Sequence, residues 1–395
     1  MDWINAYMDF TEGMPSPEIF RLWAAIGAVA AALERRVWVE TAEGEVYPHL
    51  YTLLVANPGI GKSIAIGPVE RLWYDTQKLH VAPHSVTKAA LVDALATANT
   101  KRLMGQELVE YHSLAVPAGE FGVLVPAHDL EFMSVINSIY DAGPVYREQR
   151  RTLNRNIEII RPQMNILAGA QPGYLASVLP EEAWSMGFTS RLIMVYSGFP
   201  VKVPLFGVRR EEKRQQRQAL LGMLKRLGDF YGPMLWEPAA AVEMERWAAE
   251  GLPPVPEHSK LQHYCSRRIV HILKLCIIAT ASAGRLMVEL SDLDRARGWL
   301  LAAEETMPDI FKAMVRRSDS EVLQEMHHYV WGHWIKTKKP MGEKMLLAYM
   351  SERATTDKIP RIIDIAVRSG MLDESQPLPG IKVYTPRARH LHGME

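Results

Sequence analysis

Ala56-Asn57-Pro58-Gly59-Ile60-Gly61-Lys62-Ser63 is the stretch on which the reading of this chain turns. Gly59 and Gly61 allow the backbone conformations closed to residues with a side chain, so that successive N–H groups converge on one anion. The helix expected after the loop adds its N-terminal dipole to the same point. Lys62 is placed to reach the β- and γ-phosphates of a nucleoside triphosphate, and Ser63 to hold Mg2+. Asn57, Pro58 and Ile60 complete the loop, with Asn57 also a candidate for base contact. The usual pattern starts with glycine; here Ala56 stands in that place. Before the loop, Tyr51–Ala56 is a short apolar run that predicts a buried strand. After it, Ile66, Val69, Leu72 and Trp73 recur at helical spacing. No Asn-Lys-x-Asp motif selects guanine, so ATP is the expected nucleotide.

Working outward, further apolar runs at Ser113–Pro117, Asn165–Ala170 and Leu192–Tyr196 read as buried strands. A helix is expected over Val86–Ala98, capped by Ser85 or Thr87. Strands and helices alternate, which predicts an α/β fold with a mostly parallel sheet covered on both faces. Hydrolysis needs an acid beside the phosphates to polarise water, and Glu120, just past the second strand, is the candidate. Gly119 precedes it where an acid is usual, which leaves the second carboxylate around the magnesium unassigned; Asp129 is the fallback. Gln171, at the end of the strand Asn165–Ala170, is placed to sense the γ-phosphate, or is a plain loop glutamine. Arg191 lies between the Gly187 turn and the strand Leu192–Tyr196, where an arginine finger for a neighbouring subunit would sit. Arg267 or Arg268 opens a helix over Ile269–Ala281 and is a candidate second sensor reaching back to the nucleotide. Both are equally readable as arginines lying along a helix start with their heads in water.

Four segments follow: N-terminal helices and a hairpin (1–50), the nucleotide-binding core (51–205), a helical lid (206–315) and a tail (316–395). The first holds helices over 2–12 and 17–35 and a hairpin over Trp38–Tyr47 around Gly44. The tail shows helices at Ser320–Thr337, Gly342–Ser351 and Thr355–Ser369, then a strand at Ile381–Tyr384, the plan of a winged helix. Its residues 336–395 carry 11 Lys and Arg against 7 Asp and Glu, a mildly basic balance. Within the core, Arg147, Arg150, Arg151 and Arg155 stud a segment that reads as a hairpin able to grip nucleic-acid phosphates, positioning rather than specifying.

The 395 residues carry zero formal net charge, which argues against a protein coating nucleic acid over its whole surface. Cys265 and Cys276 are expected as two reduced core thiols within one helix. The apolar stretch Leu22–Leu33 is too short to span a bilayer and predicts a buried helix. With no basic leader, the expected location is the cytoplasm, the host bacterial cytoplasm if the chain is phage-encoded.

Taken in order, LLVANPGIGKS (Leu53–Ser63), HSVTKAALVDAL (His84–Leu95), AGEFGV (Ala118–Val123) and GFTSRLIMV (Gly187–Val195) resemble an AAA+ P-loop ATPase, more narrowly the primase-helicase-like proteins of phages and prophages. Ser190-Arg191, and Arg267–Leu275 followed by a winged-helix tail, are similar to minichromosome-maintenance helicases. The resemblance implies a P-loop NTPase core with a helical lid and a C-terminal winged-helix domain. It implies a homo-oligomeric ring, a hexamer by that likeness, with ATP between subunits and single- or double-stranded DNA in the pore. A finger acting on a neighbour also asks for a heterologous interface that closes. No primase module is recognisable, so a primase or loader would be a separate partner. The function expected is an ATP-driven DNA helicase. The alternative is a helicase loader or initiator that uses ATP as a switch without unwinding.

Overall fold

Two β-branched residues within five consecutive apolar or β-favouring ones make Tyr51–Val55 a strand buried along its whole length. Along the chain, α1 (Trp3–Thr11), α2 (Glu18–Leu33), β1 (Val37–Thr41), β2 (Gly44–Val46) and this β3 (Tyr51–Val55) come first. They are followed by α3 (Lys62–Thr76), α4 (Lys88–Thr97), β4 (Asn99–Met104), β5 (Glu107–Ala118), α5 (Phe121–Leu124) and α6 (Leu130–Tyr140). Then come β6 (Val145–Arg150), β7 (Arg155–Ile160), β8 (Pro162–Ala170), α7 (Pro172–Val178) and β9 (Leu192–Tyr196). The computed structural model describes residues 2–84, 87–104, 106–126, 129–141, 143–150, 155–179, 187–204, 210–351 and 358–387. By internal contacts the chain divides into residues 1–311 and 312–395.

The central sheet has the order β4-β5-β8-β3-β9. β5, β8, β3 and β9 are parallel, as expected, and only the edge strand β4 is antiparallel. From β3 the chain passes through α3 to the far side of β5, where Val81 bridges Ala115, and returns through β5 to β8. From β8 it crosses β3 to form β9. Connections therefore leave β3 and β8 in opposite directions, and the crevice outside their carboxyl ends is where such sheets take ligands.

The expected helix over Val86–Ala98 is α4, and Thr87 is its cap, the hydroxyl accepting from the Ala90 N–H at 3.2 Å; Ser85 lies outside the described residues. The strand expected at Ser113–Pro117 is longer, because its first half pairs with β4. The stretch Leu22–Leu33 lies in α2, whose residues from Phe20 to Leu33 are nearly all buried against the sheet and α3. Each large apolar side chain there contributes about 1.5–3 kcal/mol. Among the described residues, no helix is long and apolar enough to cross a membrane.

Beyond the sheet come α8 (Arg210–Leu227), β10 (Gly232–Pro233), β11 (Leu235–Trp236), α9 (Pro238–Ala249), α10 (Gln262–Cys265), α11 (Arg268–Ser282), β12 (Met287–Val288) and α12 (Leu290–Thr337). β10 extends the β1–β2 hairpin as a third strand, so the amino-terminal segment and the helical segment share one small sheet. The two cysteines are free thiols in different helices, not in one, because the chain breaks helix at Ser266-Arg267 between α10 and α11. Arg268 is wholly buried and paired with Glu304 of α12 at 2.8 Å.

In residues 312–395 the expected helices are α13 (Glu343–Ser351) and α14 (Ile359–Arg368); residues 355–357 of the latter expectation lie outside the described residues. The expected helix at Ser320–Thr337 does not begin there: it is the end of α12, within which the division at 311/312 falls. The tail strand has company. β13 (Met341–Gly342), β15 (Ile381–Pro386) and β14 (Leu372–Leu378) form a small antiparallel sheet in that order. Met326, Val330, Leu346, Met350, Ile362 and Tyr384 are the centre of this unit's own core.

Candidate functional site at the sheet's carboxyl edge

The loop between β3 and α3 owes its course to its glycines. Gly59 and Gly61 have φ of +80° and +95°, a region that strains any side chain. Gly61 is also pressed against the Pro15-Ser16 turn: a Cβ there would collide with the Pro15 carbonyl and come within 2.8 Å of the Ser16 Cα. Asn57, Pro58 and Gly59 are exposed, Ile60 is buried, and Ser63 is exposed in the first turn of α3. The Lys62 ammonium is buried and donates to the loop's own carbonyls, Ala56 at 2.8 Å and Asn57 at 3.2 Å.

Strand register brings the other two candidates to the same level. Val55 is opposite Ala170, and Ala118 is opposite Ala168, so Glu120 and Gln171 emerge beside the loop. Gln171 Nε2 stands 3.5 Å from a Glu120 carboxylate oxygen, the outer limit of a hydrogen bond. Gly169 is what lets the three strand ends close up: a Cβ there would be 2.5 Å from the Gly119 carbonyl and 3.5 Å from Lys62 Cβ. The fallback acid, Asp129, has a structural duty as the cap of α6, accepting from the Phe132 N–H at 2.8 Å.

Arg191 lies at the other edge. It immediately precedes Leu192, which is opposite Tyr51, while the loop follows Val55. Four residues of strand, roughly 13 Å, separate the two levels. Its Nε donates to Asp141 at 3.0 Å and a second guanidinium nitrogen also reaches that carboxylate. Arg267 donates to the same Asp141 at 3.0 and 3.3 Å. Arg267, expected as a second sensor reaching back to the nucleotide, has its guanidinium at the amino edge beside Arg191, away from its own chain's loop. Arg268 is committed to Glu304. Burial raises the Asp141 pKa, but hydrogen bonds and charge from Arg191 and Arg267 outweigh it and hold the carboxyl below its usual range.

Sequence reading missed Asp141, and with it His271 and Lys274 of α11. The signal available was a basic or polar residue every turn on an otherwise apolar helix, Arg267, His271 and Lys274. His271 donates through Nε2 to the Ser190 carbonyl at 3.0 Å and is 1% exposed. Burial drives its pKa down to about 3, against the smaller upward pull of that hydrogen bond. A folded-state pKa below the unfolded one, about 6.5, means stability present above pH 6.5 that is lost as pH falls toward the folded value. Between those limits His271 costs about 1.4 kcal/mol per pH unit. Melting followed by circular dichroism should show this slope from pH 6.5 downward, and His271→Gln, which keeps a donor for Ser190, should flatten it. An unchanged slope in that variant would remove His271 as the cause.

The arginine-studded segment is a hairpin, β6 paired with β7, with Arg147 opposite Glu158 and Arg150 opposite Arg155. Arg147 is exposed and 3.1 Å from Glu158, a pair weak enough to exchange for a phosphate. Arg151 lies outside the described residues. No protein-family model matches the chain, and no curated protein is significantly similar to it.

Proposed function

We propose that the chain is an ATP-driven, ring-forming DNA helicase or translocase of phage or prophage replication. On this reading the 1–311 unit is a P-loop, AAA+-like core with a helical lid, and the tail is a winged helix. One observation carries it: Lys62, Glu120 and Gln171 gather at the carboxyl edge of the sheet, while Arg191 sits at the amino edge. An arginine there cannot complete its own chain's site. It can complete that of a neighbour in a head-to-tail ring.

The loop N–H groups and Lys62 bind and orient the phosphates. Glu120 takes a proton from the attacking water, which Gln171 helps to position, and Arg191 of the adjacent subunit meets the charge that builds on the transferred phosphoryl group. The exposed Ser63 hydroxyl, together with phosphate oxygens, would hold Mg2+, which supplies neutralisation of the β- and γ-oxygens. Arg147, Arg150, Arg151 and Arg155 would track the DNA backbone. A second reading, a loader or initiator working as an ATP switch, is favoured by the pairing of Arg191 with Asp141 of its own chain, which a partner would have to open.

Steady-state ATP hydrolysis, measured with and without single-stranded DNA, separates the two. The motor reading expects DNA to stimulate hydrolysis and Arg147→Glu with Arg150→Glu to abolish unwinding. Slow hydrolysis indifferent to DNA and to those reversals would leave the switch and remove the motor.

A further inference from the structure

A cleft of about 850 Å³ opens at the amino edge of the sheet, between the β1–β2 hairpin, the root of the β6–β7 hairpin and α11. Its volume is within the range of small-ligand sites. On its floor is Lys274, 2% exposed, whose ammonium touches only neutral groups: the His49 carbonyl at 2.9 Å, the His49 ring at 3.0 Å and the face of Tyr140 at 3.9 Å. Among the described residues no carboxylate lies within ion-pairing distance of it. Burial pushes the Lys274 pKa well below its usual value, and an anion bound beside it would restore the charged form.

Further observations bear on the same cleft. Arg161, at the rim, is exposed and its guanidinium has no partner among the described residues, on a backbone held at φ +42°. Strain of that kind in a non-glycine residue collects at functional sites. Tyr140 is 6% exposed, lines the cleft and has a buried hydroxyl with no partner; His49 Nδ1 and Trp38 Nε1 are buried and unpartnered as well. Of the three acids at the cleft, Asp141 holds two arginines and Glu45 accepts from the Tyr47 hydroxyl at 2.5 Å, while Glu43 is exposed. Finally, Trp38 makes an aromatic wall with Tyr47 and Tyr231, ring centroids 6.1 and 5.7 Å away.

Cationic side chains beside rings set tilted and edge-on to one another, with Arg35 over the Tyr47 face at 4.2 Å, match one ligand chemistry. We propose that this cleft binds a nucleoside 5′-phosphate unit, its base against Trp38, Tyr47 and Tyr231 and its phosphate on Lys274 and Arg161. The unit is either a free nucleotide or one residue of a single strand entering beside the β6–β7 hairpin. The site is independent of the glycine loop, at the opposite edge of the sheet.

The test uses the full chain carrying Lys62→Ala, so that loop binding is suppressed, titrated calorimetrically with AMP and, separately, with a short 5′-phosphorylated oligo(dT). One of the two is expected to bind, and which one identifies the source. Arg161→Asn, which keeps a residue tolerant of positive φ, should weaken that binding by at least about tenfold, as should Lys274→Met and Trp38→Ala. If neither probe binds, or if Arg161→Asn binds as tightly as its parent while melting normally, the proposal is overturned. ATP binding by the unmodified loop would be unaffected by that failure.

Discussion

Arg191→Ala is expected to lower the ATPase kcat of the assembled protein by about 10³–10⁵-fold while leaving nucleotide affinity nearly unchanged. The reasoning is positional. Lys62 and Arg191 belong to opposite edges of one sheet, so on the proposed reading the loop that would bind ATP and the arginine that would meet its transition state would come from different subunits. Loss of Arg191 should not unfold the chain, because Asp141 keeps its pairing with Arg267 at 3.0 Å. Melting temperature therefore separates a damaged site from a damaged fold. Mixing decides the rest. Arg191→Ala subunits have an intact loop, and Lys62→Ala subunits an intact arginine, so a mixed ring of the proposed kind would contain some complete interfaces. Partial return of hydrolysis on mixing is the expected result. Two inactive variants that stay inactive when mixed, although both assemble, would sink the shared-site reading.

Lys62→Ala should cost about 10²–10³-fold in kcat, the loss usual when one preorganised donor to developing charge is removed. Unlike Arg191→Ala, it should also weaken nucleotide binding, since Lys62 would meet the phosphates in the ground state as well. The ammonium is held against the Ala56 and Asn57 carbonyls, within the loop, and on nucleotide binding would exchange those acceptors for phosphate oxygens without leaving the site. Single-turnover hydrolysis alongside fluorescent-nucleotide titration measures both effects. A variant that binds normally and hydrolyses at the parent rate would mean the loop grips phosphate by its backbone alone.

The loop, β3 and β9 were legible in the sequence because each is decided locally: by glycines that must take positive φ, or by a run of apolar residues of strand length. The cap of α4 was legible in part: Ser85 and Thr87 both offered a hydroxyl, and the structure selects Thr87, three residues before the Ala90 amide from which it accepts. What escaped reading was settled by residues far apart. Arg191 and Asp141 are 50 positions apart, and Arg267 and Asp141 are 126 apart. No local pattern announces that three such residues meet. Hence Arg267 could be placed at the start of a helix from its sequence, but not at its edge of the sheet. β4 was missed for another reason. Its residues Lys101 and Arg102, and Leu103, 70% exposed, give an edge strand no clean alternation to read. Lys274 gives no local sign of burial in the sequence; the packing of α11 against α2 and β1 puts it inside, beside His49 and Tyr140.

The Pro15-Ser16 turn seated against Gly61 makes the amino-terminal helices a wall of the phosphate loop although they supply it no ligand. Lys213, which donates to the Phe10 carbonyl at 2.6 Å, ties the same end to α8. If the loop binds and releases a nucleotide as proposed, its flexing would press on α1 and α2, and a fusion or deletion within the first seventeen residues would perturb turnover rather than serve as a neutral handle.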